Sequence, residues 1–280
     1  MNTTNHNHQR LSRLHPTGFT LIELLVSIGI IGILIGLLLP ALAGARGSAL
    51  QTVALSNVRS VGTQFTQFAD EKGKYPHQGL GEIPDGLFTG DEYEPRGDEV
   101  IIEWYPGGMV IATTDYFSHS WMWPAMVSDI DEWPTYWETW ISPRKGEELP
   151  ALHEFGFDPE NSIEDVISIK YSNSFVTRPA YWNGENHGTD LSMLKSTRPH
   201  DVQFASGKVM LWDDDLSYMV GKSEPERIDG LLEAKTPMAF ADGHADALVP
   251  SDASEGVMNS MTGETVKLHG TKDGVAGRDY

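Results

Sequence analysis

An apolar stretch near the start of the chain constrains its fold more than any other feature. Residues 15–40 read HPTGFTLIELLVSIGIIGILIGLLLP, and the apolar run from Phe19 to Leu39 has 21 residues. As a helix rising about 1.5 Å per residue, this run is roughly 32 Å long, close to the ~30 Å hydrocarbon core of a bilayer. The sequence therefore predicts a membrane-spanning helix over residues 19–39, preceded by a short segment, residues 1–18.

The charges around this helix predict its orientation. Arg10 and Arg13 precede it, and the first acidic residue of the chain is Glu23. Because basic residues are retained on the cytoplasmic side of a membrane, we expect residues 1–18 in the cytoplasm and the chain after Pro40 on the outside.

A cleaved secretory signal is the alternative for the same segment. Such a signal has an apolar core of about 7–15 residues and then a small-residue cleavage site, and the small residues of Ala41–Ala45 are compatible with one. A secretory signal has no use for a carboxylate inside its apolar core, where a charge costs ~2.5–3.5 kcal/mol. Glu23 therefore indicates that this segment is not an ordinary secretory signal. We also expect its carboxylate to pair with another charged group.

The segment from Gly18 to Leu24, GFTLIEL, resembles the cleavage and methylation motif of prepilins, the precursors of type IV pilins and type II secretion pseudopilins. The resemblance implies that a prepilin peptidase cuts between Gly18 and Phe19 and N-methylates Phe19. It also implies that Glu23 pairs with the terminal amine of a neighbouring subunit, which relieves the burial of both charges and sets the stagger of a filament. Pro40 matches the proline that often bends this helix in the family.

The same resemblance implies partners and a location. The partners are prepilin peptidase, other pilin-like subunits, an inner-membrane assembly platform and membrane lipid. The location is the bacterial inner membrane, crossed once, with the C-terminal domain in the periplasm or in an envelope filament. Gly32 and Gly36 form a GxxxG step that lets helices approach closely in lipid. Glycine is also common in membrane helices, so this step is compatible with lateral assembly without requiring it.

Beyond Pro40 the apolar pattern keeps the period of a helix. Apolar residues recur every three or four positions, at Leu50, Ala54, Val58, Val61, Phe65 and Phe68. We predict one helix from about Thr20 to about Asp70, bent near Pro40 and ended by Gly73, with an amphipathic continuation over residues 40–72.

Residues 73–280 are predicted to form one extracytoplasmic globular domain. Turn signals separate short β-rich segments, and the candidate strands are Val100–Trp104, Met109–Thr113, Val166–Tyr171, Val209–Trp212 and Met238–Ala241. The predicted fold class is α+β, with the long N-terminal helix packed on a mostly antiparallel β-sheet with long loops. The chain has no cysteine, unlike many type IV pilins, and this favours a pseudopilin-like protein.

The chain is strongly acidic. The whole chain has 20 Lys and Arg residues and 40 Asp and Glu residues. The predicted leader contains two of the basic residues and none of the acidic ones, so the chain after Gly18 has a net charge of −22. Such a charge repels phosphates, which excludes nucleic acid as an expected partner. Two explanations of the negative charge remain, namely a solvated acidic surface or a site that binds divalent cations.

Two acidic clusters are the candidates for such a cation site. Asp213, Asp214 and Asp215 follow one candidate strand, and Asp242 and Asp246 follow another. If the strand ends meet, these oxygens would suit Ca²⁺, which takes six to eight oxygen ligands. The alternative is that the carboxylates stabilise turns.

Asp242-Gly243-His244 also resembles the C-terminal signature of a large prepilin-like group, in which a His precedes Asp-Gly by nine residues. The first His of that signature falls on position 232, which is Leu232. The partial match supports the family and indicates no catalysis.

A tryptophan-rich segment is the last unusual feature, with Trp121, Trp123, Trp133, Trp137 and Trp140. Exposed aromatic rings bind sugars or partner surfaces, whereas buried ones would form a satellite core. Pro124 and Pro134 indicate a rigid loop.

No hydrolase, metalloprotease or phosphate-loop motif occurs, so we expect no enzyme and no catalytic residues. The sequence favours a structural subunit of a type II secretion pseudopilus or a related type IV pilus-like filament. The alternative is a carbohydrate- or partner-binding module that uses the prepilin helix for export and anchoring.

Overall fold

The structure is a computed structural model. It describes residues 20–77, 99–103, 111–115, 119–128, 132–143, 167–188, 190–216, 233–261 and 263–280. The chain divides into two compact units, Met1–Ala45 and Arg46–Tyr280.

The long helix predicted from the sequence is present. Helix α1 spans Leu21–Lys72 and contains Pro40. Just beyond its end, Gly73 has φ +72°, the left-handed conformation that commonly follows the last turn of a helix. The prediction of one helix from about Thr20 to about Asp70, ended by Gly73, is therefore confirmed.

In the first unit, the described part of α1 exposes its large apolar side chains. Leu21 is 80% exposed and Leu37 is 72% exposed. Among the described residues, α1 is the one helix with the length and apolar composition needed to cross a membrane. These properties fit a single-pass membrane anchor.

In the second unit, α1 contributes one face to the core. Its buried side chains include Ala54, Val58, Val61 and Phe65, the middle of the predicted apolar stripe. Gly62 lies on the same face, and a Cβ added there would lie only 2.8 Å from the Cβ of Ala239. The helix therefore approaches its neighbour in the sheet so closely at Gly62 that no side chain fits.

The sheet of this domain has four strands. They are β3 (Ile169–Tyr171), β4 (Val209–Asp213), β5 (Thr236–Phe240) and β6 (Ala245–Leu248). They pair in chain order, and every pair is antiparallel. A separate antiparallel pair is formed by β1 (Glu99–Glu103) and β2 (Ile111–Asp115). The fold is therefore α+β with an antiparallel sheet, as the sequence predicts.

Both faces of the four-stranded sheet are buried. Tyr171, Leu211 and Ala239 belong to the main core cluster, together with the buried face of α1. The neighbouring residues on the strands point the other way, and a second cluster there contains Val209, Trp212, Met238, Phe240, Ala253 and Leu268. On β5 the alternation of side chains explains this division, since successive residues face opposite sides. On β4 a register shift between Val209 and Leu211 interrupts the alternation, and Met210 and Leu211 both belong to the main cluster.

The tryptophan-rich segment differs from the expectation. In place of a rigid loop, it forms three short helices, α2 (His119–Met122), α3 (Pro124–Val127) and α4 (Trp133–Trp140). The prediction of a loop was wrong because proline is compatible with the first turn of a helix, where its missing N–H has no partner to lose. Both α3 and α4 have a proline there.

The tryptophans of this segment belong to the main core. Trp123, Trp133, Trp137 and Trp140 are buried in the same cluster as Phe65 and Tyr171, so they do not form a satellite core. The Trp123 ring contacts Phe65 edge-on at 5.4 Å, and its Nε1 donates to the Ile169 carbonyl at 2.7 Å. The segment thus ties α1 to the edge strand β3.

Candidate functional site

The predicted processing site, Gly18 and Phe19, lies outside the described residues, but the residues that follow it are described. Thr20 and Glu23 form a reciprocal cap at the start of α1. The Thr20 backbone N–H and hydroxyl donate to Glu23 Oε2 at 2.8 and 2.7 Å, and the Glu23 N–H donates to Thr20 Oγ1 at 3.3 Å. Two donors of the first turn, which have no partner within the helix, are satisfied in this way.

The cap gives the Glu23 carboxylate a fixed position at the helix start. Its oxygens remain exposed in the isolated chain, so a cation can reach the carboxylate while the cap is formed. The Thr-x-x-Glu spacing of Thr20 and Glu23 is the sequence signature of a capping box, so this contact could have been predicted from the sequence, where Glu23 was interpreted only as a charge in the membrane.

The other predicted assembly residues lie on the same helix. A Cβ added to Gly32 or Gly36 would meet nothing within 4 Å, so both positions are open surface in the isolated chain. Pro40 lies inside α1 and has no N–H to donate to the carbonyl of Gly36, four residues earlier. The helix therefore has a missing hydrogen bond in its apolar part.

The acidic clusters do not gather at one place. Because β4 and β5 are antiparallel, with Val209 opposite Phe240 and Trp212 opposite Met238, Asp213 and Asp242 lie at opposite ends of this pair. At about 3.3 Å per residue the two are roughly 16 Å apart, which no single cation spans with bonds of about 2.4 Å. Asp213 and Asp242 therefore cannot be ligands of the same cation.

The remaining acids of the two clusters are also dispersed. Asp246 lies opposite Met238 and is exposed on β6, whereas Asp213 is buried at the end of β4. Among the described residues there is no group of three or more His, Cys, Asp or Glu side chains arranged to hold a metal. Any cation would therefore meet only a few of the five candidate ligands.

Asp213 is a buried structural carboxyl. Its Oδ2 lies 2.7 Å from Ser142 Oγ, and the same hydroxyl contacts the Asp215 carbonyl. Burial raises the pKa of Asp213 well above its ordinary range, although the Ser142 hydrogen bond opposes the shift. The Ser142 hydroxyl has a single proton, so it donates either to Asp213 Oδ2 or to the Asp215 carbonyl, and burial favours the neutral form of the Asp213 carboxyl.

Asp242, Gly243 and His244 form the turn between β5 and β6. Gly243 has φ +88°, which favours glycine, and its N–H donates to the Phe240 carbonyl at 2.9 Å. The Asp242 Oδ1 accepts from the His244 N–H at 3.1 Å, and the His244 ring stacks on Phe240 with centroids 4.2 Å apart. The resemblance to the prepilin-like signature therefore corresponds here to a hairpin turn.

A cleft of about 190 Å³ lies between α1 and α4. It is lined by two half-buried aromatic rings with amide and carboxylate side chains, namely Phe68, Tyr136, Gln64, Gln67, Glu71 and Glu132. Aromatic faces beside amides and carboxylates suit a polyhydroxylated ligand, because the rings stack and the polar groups accept and donate hydrogen bonds. The four buried tryptophans are not available for such contacts.

Comparison with known protein families gives one match. Residues 15–39 match the family model described as the prokaryotic N-terminal methylation motif, which is consistent with a prepilin-like protein. The match covers Gly18, Phe19 and Glu23, and it points to a structural, pilin-type protein. No curated protein and no solved structure matches the chain significantly.

Proposed function

We propose that the protein is a structural subunit of a type II secretion pseudopilus or a related type IV pilus-like filament. The observation that carries the proposal is the methylation motif at residues 15–39, followed directly by a helix that is long and apolar enough to cross a membrane. Prepilin peptidase removes the leader after Gly18. The processed chain then assembles with other pilin-like subunits through α1.

The topology of the proposal follows from charge. The basic leader with Arg10 and Arg13 stays in the cytoplasm of a bacterial cell, α1 crosses the inner membrane once, and the acidic domain lies in the periplasm or in an envelope filament. An inner-membrane platform extracts the helix from lipid during assembly. The domain is a structural unit in this scheme and has no catalytic role.

Assembly is tested by crosslinking in cells that contain a prepilin peptidase and an assembly platform. Because the chain has no cysteine, a cysteine introduced into the exposed apolar part of α1 reports contacts between subunits without background. The proposal expects crosslinked ladders that require the platform. The proposal would be contradicted if only monomers and crosslinked dimers were found, both with and without the platform.

A second candidate function rests on the cleft between α1 and α4. In this alternative the domain binds a carbohydrate at Phe68 and Tyr136, and the prepilin helix serves for export and anchoring only. A glycan array with the soluble domain from residue 45 onward separates the two. Specific binding that is lost in Tyr136→Ala favours the binding module, whereas the filament subunit needs no glycan ligand.

A further inference from the structure

Three buried polar side chains join the start of β4 to the segment before Tyr280. The Lys208 side chain is completely buried, the Asp279 side chain is 3% exposed, and Lys208 Nζ lies 3.1 Å from Asp279 Oδ2. Thr271 Oγ1 contacts Lys208 Nζ and donates to Asp279 Oδ1 at 2.5 Å. An amine, a carboxyl and a hydroxyl are thus held together away from water.

The protein environment favours the reactive form of the amine. Burial lowers the pKa of Lys208, while the Asp279 charge acts in the opposite direction. A lower pKa increases the fraction of neutral amine, which is the nucleophilic form. The neighbouring backbone contributes a further contact, since the Val209 N–H donates to Asp279 Oδ2 at 2.8 Å.

We propose that Lys208 and Asp279 become joined by an intramolecular isopeptide bond in the folded protein. Lys208 first passes one ammonium proton to the Asp279 carboxylate, 3.1 Å away. The neutral Nζ then attacks Cγ of that carboxyl, the Nζ–Cγ bond forms and the Cγ–Oδ1 bond breaks. Oδ1 leaves as water, carrying the carboxyl proton and one proton from the amine. No oxidant, reductant or co-reactant is needed.

Each neighbouring group has a role in this step. The Val209 N–H stabilises the charge that develops on Oδ2, the oxygen that remains as the amide carbonyl. Thr271 Oγ1 contacts both Nζ and Oδ1, so its hydroxyl passes the proton from the amine to the leaving oxygen. Two groups held in place without competing water react with effective molarities of about 10⁵–10⁸ M.

The bond would compensate for a feature of the sequence. The chain has no cysteine, so disulfides cannot restrain its domain. An amide between positions 208 and 279 closes a loop across much of the domain, and such a crosslink stabilises a fold mainly by restricting the unfolded chain. It would fix the segment around Asp279 to β4 independently of the redox state of the compartment.

Mass spectrometry of the purified full chain in detergent tests the proposal. When the chain is produced without a prepilin peptidase, the intact protein is expected to be lighter than its sequence by one water, about 18 Da. A succinimide at an Asp-Gly step gives the same loss, so peptide mapping has to locate the change. Trypsin does not cleave after an acylated lysine, and the digest should therefore contain one branched peptide with Lys208 joined to Asp279.

Variants separate the bond from an ion pair. Lys208→Arg keeps a cation opposite Asp279 but has no nucleophilic amine, so it should have the full sequence mass. Thr271→Val should form the branched peptide in a lower fraction at equal time. The control is Lys267→Arg, which changes a lysine paired with the exposed Glu255 and should keep the branched peptide. A wild-type protein of full mass that trypsin cleaves after Lys208 overturns the proposal, as does an unchanged mass loss in Lys208→Arg.

Discussion

Thr20 and Glu23 cap each other's backbone at the first turn of α1, with Thr20 donating to the Glu23 carboxylate at 2.7–2.8 Å. The carboxylate that the filament model assigns to a neighbouring amine is thus already positioned within its own subunit. Two effects of this residue can therefore be separated by mutation, its capping of the helix and its charge.

The first prediction concerns assembly through Glu23. Glu23→Gln keeps an oxygen that accepts from Thr20 but removes the charge, so it should insert and be processed yet assemble poorly. Thr20→Ala weakens the cap by about 1 kcal/mol but keeps the charge, so it should assemble better than Glu23→Gln. Crosslinking between subunits measures both. If Glu23→Ala and Glu23→Gln crosslink as well as wild type, the carboxylate has no role in assembly.

The second prediction concerns the contact between α1 and β5. Gly62→Ala places a methyl group where a Cβ would lie 2.8 Å from Ala239 Cβ, so helix and sheet must separate. We expect a loss of about 1–3 kcal/mol in the free energy of unfolding, measured with denaturant. The matched control is Gly44→Ala, where an added Cβ meets nothing within 4 Å. Equal stability of the two variants would refute the close contact.

Much of this architecture follows from local pattern. The helix α1 has an uninterrupted apolar run and then an apolar stripe at helical spacing, and a positive-φ glycine follows its end, so its bounds were predicted closely. The strands β4 and β5 are apolar and buried on both faces, which makes them visible in the sequence. Strand β6, Ala245–Leu248, was missed because it is short and only partly buried.

The features that escaped prediction depend on contacts between distant residues. Asp213 ends one apolar strand and Asp242 follows another, and only the antiparallel register shows that they lie at opposite ends of this strand pair. Lys208 and Asp279 carry no local signal, because their contact joins positions 71 residues apart. The sequence shows that this segment is rich in tryptophan but not whether the rings are buried. Their burial depends on the position of α4 beside α1 and β3.

The third prediction concerns pH. The folded state holds a proton on Asp213 more tightly than the unfolded state, in which the pKa has its ordinary value of 3.8. The stability from this proton is therefore present in acid and decreases as the pH rises from that value through the raised pKa of the folded state. Asp213→Asn mimics the protonated carboxyl and should lose this part of the pH dependence.

Denaturant unfolding in acidic and in mildly alkaline buffer measures this effect. Relative to wild type, Asp213→Asn should be most stable in the alkaline buffer. Asp246→Asn changes an exposed carboxylate and serves as the control. Parallel pH profiles for wild type and Asp213→Asn would show that Asp213 is ionised in the fold.

The fourth prediction concerns calcium. Asp213 is engaged with Ser142, and Asp242 is engaged with the turn at His244, so neither cluster presents all its oxygens to a cation. We expect millimolar calcium to raise the melting temperature no more than magnesium does at equal ionic strength. A calcium-specific increase that disappears in Asp242→Asn together with Asp214→Asn would instead identify a site at these residues.

Cleavage after Gly18 is the step on which filament assembly depends, and the mass of the new N-terminus shows whether it occurs. The chain is co-expressed with a prepilin peptidase, and its N-terminal peptide is analysed by mass spectrometry. We expect a chain shortened by the 18 residues that end at Gly18, beginning with N-methyl-Phe19, and little or no cleavage of Gly18→Ala. An N-terminus within or just after Ala41–Ala45 would contradict it, because that product belongs to a cleaved secretory signal.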